Sequence, residues 1–357
     1  MRKNSFNWTV KPLSAGLFLA LLCVSCASTK NKTKKIEYHL NAEYDFRKPE
    51  GKPVQFTETW GYVSQYYIDE YKPEFPLTDV CLFAADLNCY GEIIDIPQRS
   101  KITVPNGVRV HFTMICDGKT LSHVAISPEF GWRDRIIDEI VDLAADFDGV
   151  QLDFELIPQR DKDLYFEFVN LLRNKVKAEN PEKIFSVCVP ARNKISETDI
   201  YSYKKLAEIC DRIFVMSYDQ HWSTSKPGAI ADLEWSKQIC DFAKTQIPAE
   251  KLIMGIPFYG RSWTDKNVAG AWYFARIQKI LQDNQIKKID YENDIPSFEY
   301  KTEVNVKTYF NDAYSVHKLC QMYNQNKVDK IGFWRIGHED PHVWEWIKTN
   351  QSATNEE

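Results

Sequence analysis

The chain has 357 residues, 44% hydrophobic and 27% charged, with a formal net charge of -5. That balance excludes a disordered protein, which has too little apolar surface to fold, and a strongly basic nucleic-acid binder, which needs a clustered positive face. At roughly 150 residues per domain the length suggests two domains, although a single α/β barrel often runs to 250 residues or more. Aromatic side chains make up 13% of the chain, which suits a packed core and a sugar-stacking surface equally, since ring faces serve both.

Taken in chain order, the first signal is at the N-terminus. Arg2, Lys3 and Lys11 precede an apolar run over 13–24. The run is too short to span a bilayer and reads as the h-region of a signal peptide covering 1–25. Leu22 lies four residues before Cys26 and Ser25 immediately before it, an arrangement that resembles a bacterial lipobox with Cys26 lipidated as the mature N-terminus. Cys23 stands where a Leu is expected, and an ordinary secretory signal cut elsewhere is the alternative. If Cys26 is the start, loss of three positive charges takes the net charge from -5 to -8. Residues 26–53 carry Lys30, Lys32, Lys34 and Lys35 without apolar periodicity and read as a solvated tether. The expected location is therefore exported and lipid-anchored, at the periplasmic or cell-surface face of a bacterial membrane. No later segment approaches a membrane span.

Short apolar runs then recur at 61–63, 80–85, 108–115, 149–154, 185–189, 212–216, 251–256 and 330–334. Between them, helical spacing appears over 133–146, 163–179, 203–209, 233–245 and 313–326. Strand–helix alternation argues for a parallel sheet, and eight strands suit a closed (β/α)8 barrel of the TIM type. A doubly wound open sheet is the alternative, but no G-x-G-x-x-G follows any of these strands. The interval between the last two strands is too long for one helix. Helical spacing at 275–281 and strand character at 298–309 predict a small α+β insertion on the rim, at about 264–311. The barrel would cover 54–347 and leave a tail at 348–357. Seven cysteines lie beyond the export segment, with no C-x-x-C pair and no His cluster at metal spacing, so no zinc or other metal site is expected. Several sit in apolar runs, where Cys is more often a small core residue than a reactive one.

The run with chemistry in it is 148–155, Asp-Gly-Val-Gln-Leu-Asp-Phe-Glu. Alternate side chains of a strand share a face. Val150, Leu152 and Phe154 therefore point to the helices, and Gln151, Asp153 and Glu155 point into the barrel. Such polar groups are costly to bury without a purpose, and Glu155 falls at the C-terminal end, where barrel active sites lie. A polar layer or ion pair inside the barrel is the structural alternative.

This segment resembles the D-x-x-D-x-D-x-E signature of glycoside hydrolase family 18, the chitinase-like barrels, with Gln151 in place of the second Asp. Met216-Ser217-Tyr218-Asp219 resembles the family's M-x-Y-D. Residues 255–261, from Gly255 through Tyr259 to Arg261, resemble its seventh strand, and 332–337, with Trp334, its eighth. Gly61-Tyr62 suits the first. The ordered set is similar above all to the bacterial branch that includes N-acetylglucosaminidases acting on spore peptidoglycan, which commonly carries Asn where this chain has Gln151.

The resemblance implies a hydrolase of β-linked N-acetylglucosamine polymers, peptidoglycan or chitin-type, that works as a monomer and without cofactor. It implies Glu155 as general acid and base, Asp153 as the group that orients the substrate's acetamido N–H, and Tyr218 as hydrogen-bond donor to the acetamido oxygen. Trp334 would floor the sugar, and Met216, Asp219, Tyr259 and Arg261 would line the pocket, together with Gln151 and Tyr62. Each has a plainer reading. Met216 and Trp334 suit barrel filling, Asp219 a loop cap, and Arg261 an ion pair with a rim carboxylate. Asp148 has the wrong parity for the inward row and is expected to support the strand start. Gln at 151 cannot ionise, so Asp153 is spared a like charge beside it and is expected to ionise more easily, with Gln151 able to donate to it. A non-catalytic sugar-binding barrel at the cell envelope is the second functional class. Such proteins typically lose the acid, whereas Glu155, Asp153 and Tyr218 are all present here.

Overall fold

Eight parallel strands close on themselves in the computed structural model, which describes residues 46–350 apart from 197, 269, 271, 273 and 294. Cys26, the signal segment and the tether to residue 45 lie outside the described residues, as does the tail from 351. The strands are β1 (Glu58–Ser64), β2 (Asp79–Leu87), β3 (Arg109–Asp117), β4 (Gly149–Glu155), β5 (Ile184–Pro190), β6 (Arg212–Met216), β7 (Leu252–Pro257) and β8 (Lys330–Trp334). Each pairs with its sequence neighbours, and β8 pairs with β1 to close the ring. This is the expected (β/α)8 barrel.

Helices alternate with the strands: α1 (Lys119–Ile126), α2 (Arg133–Leu143), α3 (Lys162–Glu179), α4 (Tyr203–Ile209), α5 (Leu233–Gln246), α6 (Phe274–Asp283) and α7 (Ala313–Gln325). In α3 the buried residues Tyr165, Phe168, Val169, Leu172 and Val176 follow the three-to-four-residue spacing that makes one apolar stripe. Burying each such side chain contributes roughly 1.5–3 kcal/mol. Side-chain caps fix two helix starts: Asp232 accepts from the Trp235 N–H, and Asp312 forms a reciprocal box with Ser315. The α1 helix was not anticipated. It buries Ser122, Ala125 and Ile126, a stripe too short to register as periodicity.

The strand parity appears directly in two separate cores. Val150, Leu152 and Phe154 belong to the layer between strands and helices, where Phe154 stacks on Phe168 at 5.4 Å. The barrel interior is a second cluster built on Trp60, Tyr62, Cys81, Cys188, Phe214 and Ile253. Gly332 makes this interior possible, because a Cβ there would lie 2.4 Å from the Phe214 ring. All seven described cysteines are free thiols, six of them buried.

The N-terminal end of the barrel is closed by charge. Arg109 donates from Nε and Nη2 to Asp79 at 2.7 and 2.8 Å, and Arg212 donates likewise to Glu58 at 3.0 and 2.5 Å. His111 Nε2 lies 2.7 Å from Asp79 Oδ1, and its ring stacks on Trp60. Two-pronged pairing of this kind satisfies buried carboxylates that would otherwise be expensive.

Between β7 and β8 lies the insertion. Arg261–Thr264 pairs antiparallel with Val306–Tyr309, and a second hairpin joins Asp290–Glu292 to Ile295–Ser297. Strand character was expected over 298–309, but only the last four residues pair, because the partner strand is four residues long. Outside the barrel, Val54–Phe56 pairs in parallel with Ile347–Thr349. Among the described residues no helix is long and apolar enough to cross a membrane.

Candidate active site

β4 carries its inward row from the barrel interior to the C-terminal lip. Gln151 is fully buried, Asp153 is 8% exposed, and Glu155 is open to solvent. Thr113 and Ser186 flank Gln151 in register on β3 and β5. Among the described residues none of these three side chains has a hydrogen-bond partner, and neither does Asp153 Oδ1. The bond expected from Gln151 to Asp153 is therefore not formed.

Burial, and next the charge of Glu155, push the Asp153 carboxyl up to about 7; a hydrogen bond from the Cys188 thiol works in the opposite direction. Desolvation is the larger influence, so the carboxyl is raised even with an uncharged Gln151 below it. Glu155 is also raised, first by desolvation and then by Asp117 and Asp219. Two adjacent carboxyls with raised pKa values at a barrel lip are what acid–base catalysis near neutral pH needs.

An aromatic wall stands beside this row. Trp334 meets Tyr62 at 5.3 Å and Phe83 at 4.6 Å, both edge-on. Met216, Tyr218 and Trp334 are half-buried against the interior cluster, so each presents part of its surface upward. Tyr218 has room because position 255 is Gly; a Cβ there would lie 2.9 Å from the Tyr218 ring. Burial raises the Tyr218 phenol well above its usual value, so it stays a hydrogen-bond donor.

Asp219 follows in a left-handed conformation, φ 57°, a turn that Asp tolerates better than most residues. It accepts from Tyr259 Oη at 2.6 Å and from Arg261 Nη2 at 2.7 Å and Nε at 3.1 Å. The Arg261 guanidinium also lies 5.3 Å from the centre of the Tyr259 ring. Asp219, Tyr259 and Arg261 therefore form one unit, next to Tyr218 through an edge-on Tyr218–Tyr259 contact.

Asp148 stands apart. Its Oδ2 accepts from the Val110 N–H at 2.8 Å, strapping β3 to the start of β4 at the opposite end from the lip. Cys188 is the residue that sequence reasoning passed over. It sits in the apolar run 185–189, where a thiol reads as core filling, yet its Sγ lies 3.4 Å from Tyr62 Oη and beside Asp153. Its inward parity on the fifth strand, level with the carboxylate row, was the available signal. Among the described residues no cluster of three His, Cys, Asp or Glu side chains could hold a metal.

The sequence that builds this geometry matches a family model, that of Glycosyl hydrolases family 18, over residues 127–339, which span β4 to β8. The chain belongs to that family. Within family 18, it is 25% identical over 225 residues to the cortical fragment-lytic enzyme of Bacillus subtilis (strain 168), covering 59% of this chain and 52% of that relative. The chain spans about half the length of such curated relatives. Its fold resembles the spore cortex-lytic enzyme SleL of Bacillus cereus, with TM-score 0.65 and 20% identity over 85% of this chain and 76% of that one. It also resembles a family 18 chitinase of Cycas revoluta crystallised with (GlcNAc)4, with TM-score 0.61 and 21% identity over 81% and 98% of the two chains.

Proposed function

We propose that this family 18 chain is a retaining glycoside hydrolase that cleaves β-linked N-acetylglucosamine-containing glycans by substrate-assisted catalysis. The observation that carries the reading is the position of Glu155 at the lip, its carboxyl raised toward the protonated form, two residues above the buried Asp153. Glu155 gives its proton to the leaving glycosidic oxygen. The substrate's own acetamido oxygen attacks the anomeric carbon, so no enzyme carboxylate becomes the nucleophile. Asp153 accepts from the acetamido N–H and stabilises the oxazolinium ion, and Tyr218 donates to the acetamido oxygen. Glu155 then takes a proton from water, which attacks the same carbon and opens the ring with retained configuration. Trp334 lies under the sugar's C–H face.

Peptidoglycan and chitin-type oligomers are the proposed substrates, supported by the cortical-fragment and chitinase relatives. Export and lipidation at Cys26 are proposed from the N-terminal segment; Cys26→Ser should move the protein from the membrane to the soluble fraction. The catalytic reading is tested with Glu155→Gln on an N-acetylglucosamine oligomer. The amide keeps the shape but has no proton to give, so turnover should fall roughly 10²–10⁴-fold while oligomer binding persists. Near-normal turnover would remove Glu155 from the mechanism.

A further inference from the structure

The last residue of β3 is Asp117 and the last of β4 is Glu155, and the two are paired in register across the parallel strands. Neighbouring strands lie about 4.8 Å apart, and residues in register project to the same side. The series Thr113–Gln151, Ile115–Asp153, Asp117–Glu155 therefore climbs the inner wall as three level pairs. At the top the two carboxyls stand side by side, both open to solvent.

The other groups around Glu155 do not duplicate this one. Asp153 lies below it on the same strand, Cys188 faces it from β5, and Tyr201 from the segment before α4. Tyr218 and Asp219 face it from beyond β6. Burial raises the thiol and both phenols, so these three stay neutral near pH 7. Asp219 is tied to Arg261 and Tyr259, which offset its charge. Asp117 belongs to none of the ion pairs found among the described residues.

We propose that Asp117 is a positioning residue for the acid: its carboxylate, level with Glu155 on the adjacent strand, keeps the Glu155 proton in place. This rests on the reading of Glu155 as general acid. Two like charges on neighbouring strand ends disfavour ionisation of the second, and the same interaction is the first electrostatic cause, after desolvation, of the raised Glu155 carboxyl. Asp117 needs no contact with substrate to do this. It acts by setting what fraction of the enzyme carries the proton that leaves with the glycosidic oxygen.

The test is the pH profile of kcat/KM for Asp117→Asn on an N-acetylglucosamine oligomer, with ¹³C-carboxyl NMR titration of Glu155 in the same variant. Loss of the charge should move the alkaline limb to lower pH. Activity at the alkaline end should fall roughly threefold to tenfold, with the acidic plateau unchanged. Asp117→Glu should restore the wild-type limb. Asp117→Ser, which also lacks charge, should reproduce the Asn profile and covers the case in which Asn disturbs folding. Superimposable profiles and an unmoved Glu155 titration would overturn the proposal, as would an equal loss at every pH in a folded variant. Glu155→Gln, run in parallel, separates the two claims. If it stays active, the underlying reading fails; if it is inert and Asp117→Asn is silent, the role of Asp117 alone fails.

Discussion

The Tyr62 hydroxyl and the Cys188 thiol meet at 3.4 Å inside the barrel, and both are all but inaccessible to solvent. The same thiol hydrogen-bonds to Asp153 and draws its pKa down, against burial and the charge of Glu155, which push it up to about 7. A small sulfur atom thus links the first strand to the fourth through the fifth.

Cys188→Ala removes that hydrogen bond. Asp153 should then ionise at still higher pH, so the fraction carrying a charged Asp153 falls near neutrality. A lost hydrogen bond of this kind is worth about 0.5–1.5 kcal/mol, which corresponds to a decrease in kcat/KM of roughly twofold to tenfold at pH 7. The loss should shrink as pH rises. Steady-state rates across pH 5–9 check this; a pH-independent loss would mean that the thiol only fills space.

Gln151→Asp places a carboxyl between Thr113 and Ser186, below Asp153. A new negative charge there opposes ionisation of Asp153, and the two groups would share protons as a pair. The acid limb of the pH–rate profile should move to higher pH with activity retained at its new optimum. An unchanged limb would show that positions 151 and 153 do not communicate electrostatically.

At the other end of the barrel the prediction concerns stability. Burial works against ionisation of both Asp79 and Glu58, but hydrogen bonds from His111 and Arg109 in one case, and from Arg212 in the other, outweigh it and hold both carboxyls below their ordinary values. Lowered folded-state pKa values mean that this stabilisation is complete above the unfolded range and is lost as pH falls through the folded values. The contribution of this cluster, read as the difference in melting between wild type and Asp79→Asn, should therefore be flat above about pH 5 and shrink below it. Asp79→Asn leaves His111 without its carboxylate and Arg109 with only the longer contact to Glu58, at 3.5 Å. It should cost about 3 kcal/mol, the low end for a broken buried pair, because the Arg109 side chain is 35% exposed. A variant as stable as wild type at pH 7 and at pH 4 would contradict this.

The barrel is legible because its strands are short apolar runs alternating with segments of helical spacing, a pattern that buried parallel strands impose regardless of detail. The inward row on β4 was legible for the same reason: a period of two assigns Gln151, Asp153 and Glu155 to one face. What the pattern does not carry is distance across strands. Cys188 and Asp117 reach the site through register, which is set by pairing between segments far apart in sequence, so neither was singled out. Asp153 shows a second limit. Its ionisation depends on how deeply the row is buried, and one neighbour's identity at 151 could not supply that. The insertion was placed correctly between β7 and β8, but its strand lengths depend on the partner Arg261–Thr264.

The most direct test of the mechanism compares two β-linked oligomers of equal length, one of N-acetylglucosamine and one of glucose. The anomer formed first is read by ¹H NMR, and the enzyme is examined by mass spectrometry during turnover. Substrate assistance requires the acetamido group, so the N-acetylglucosamine oligomer should be cleaved to the β-anomer, the glucose oligomer should remain intact, and the enzyme should keep its unmodified mass. Cleavage of the glucose oligomer, or a sugar ester trapped on Asp153, would contradict it.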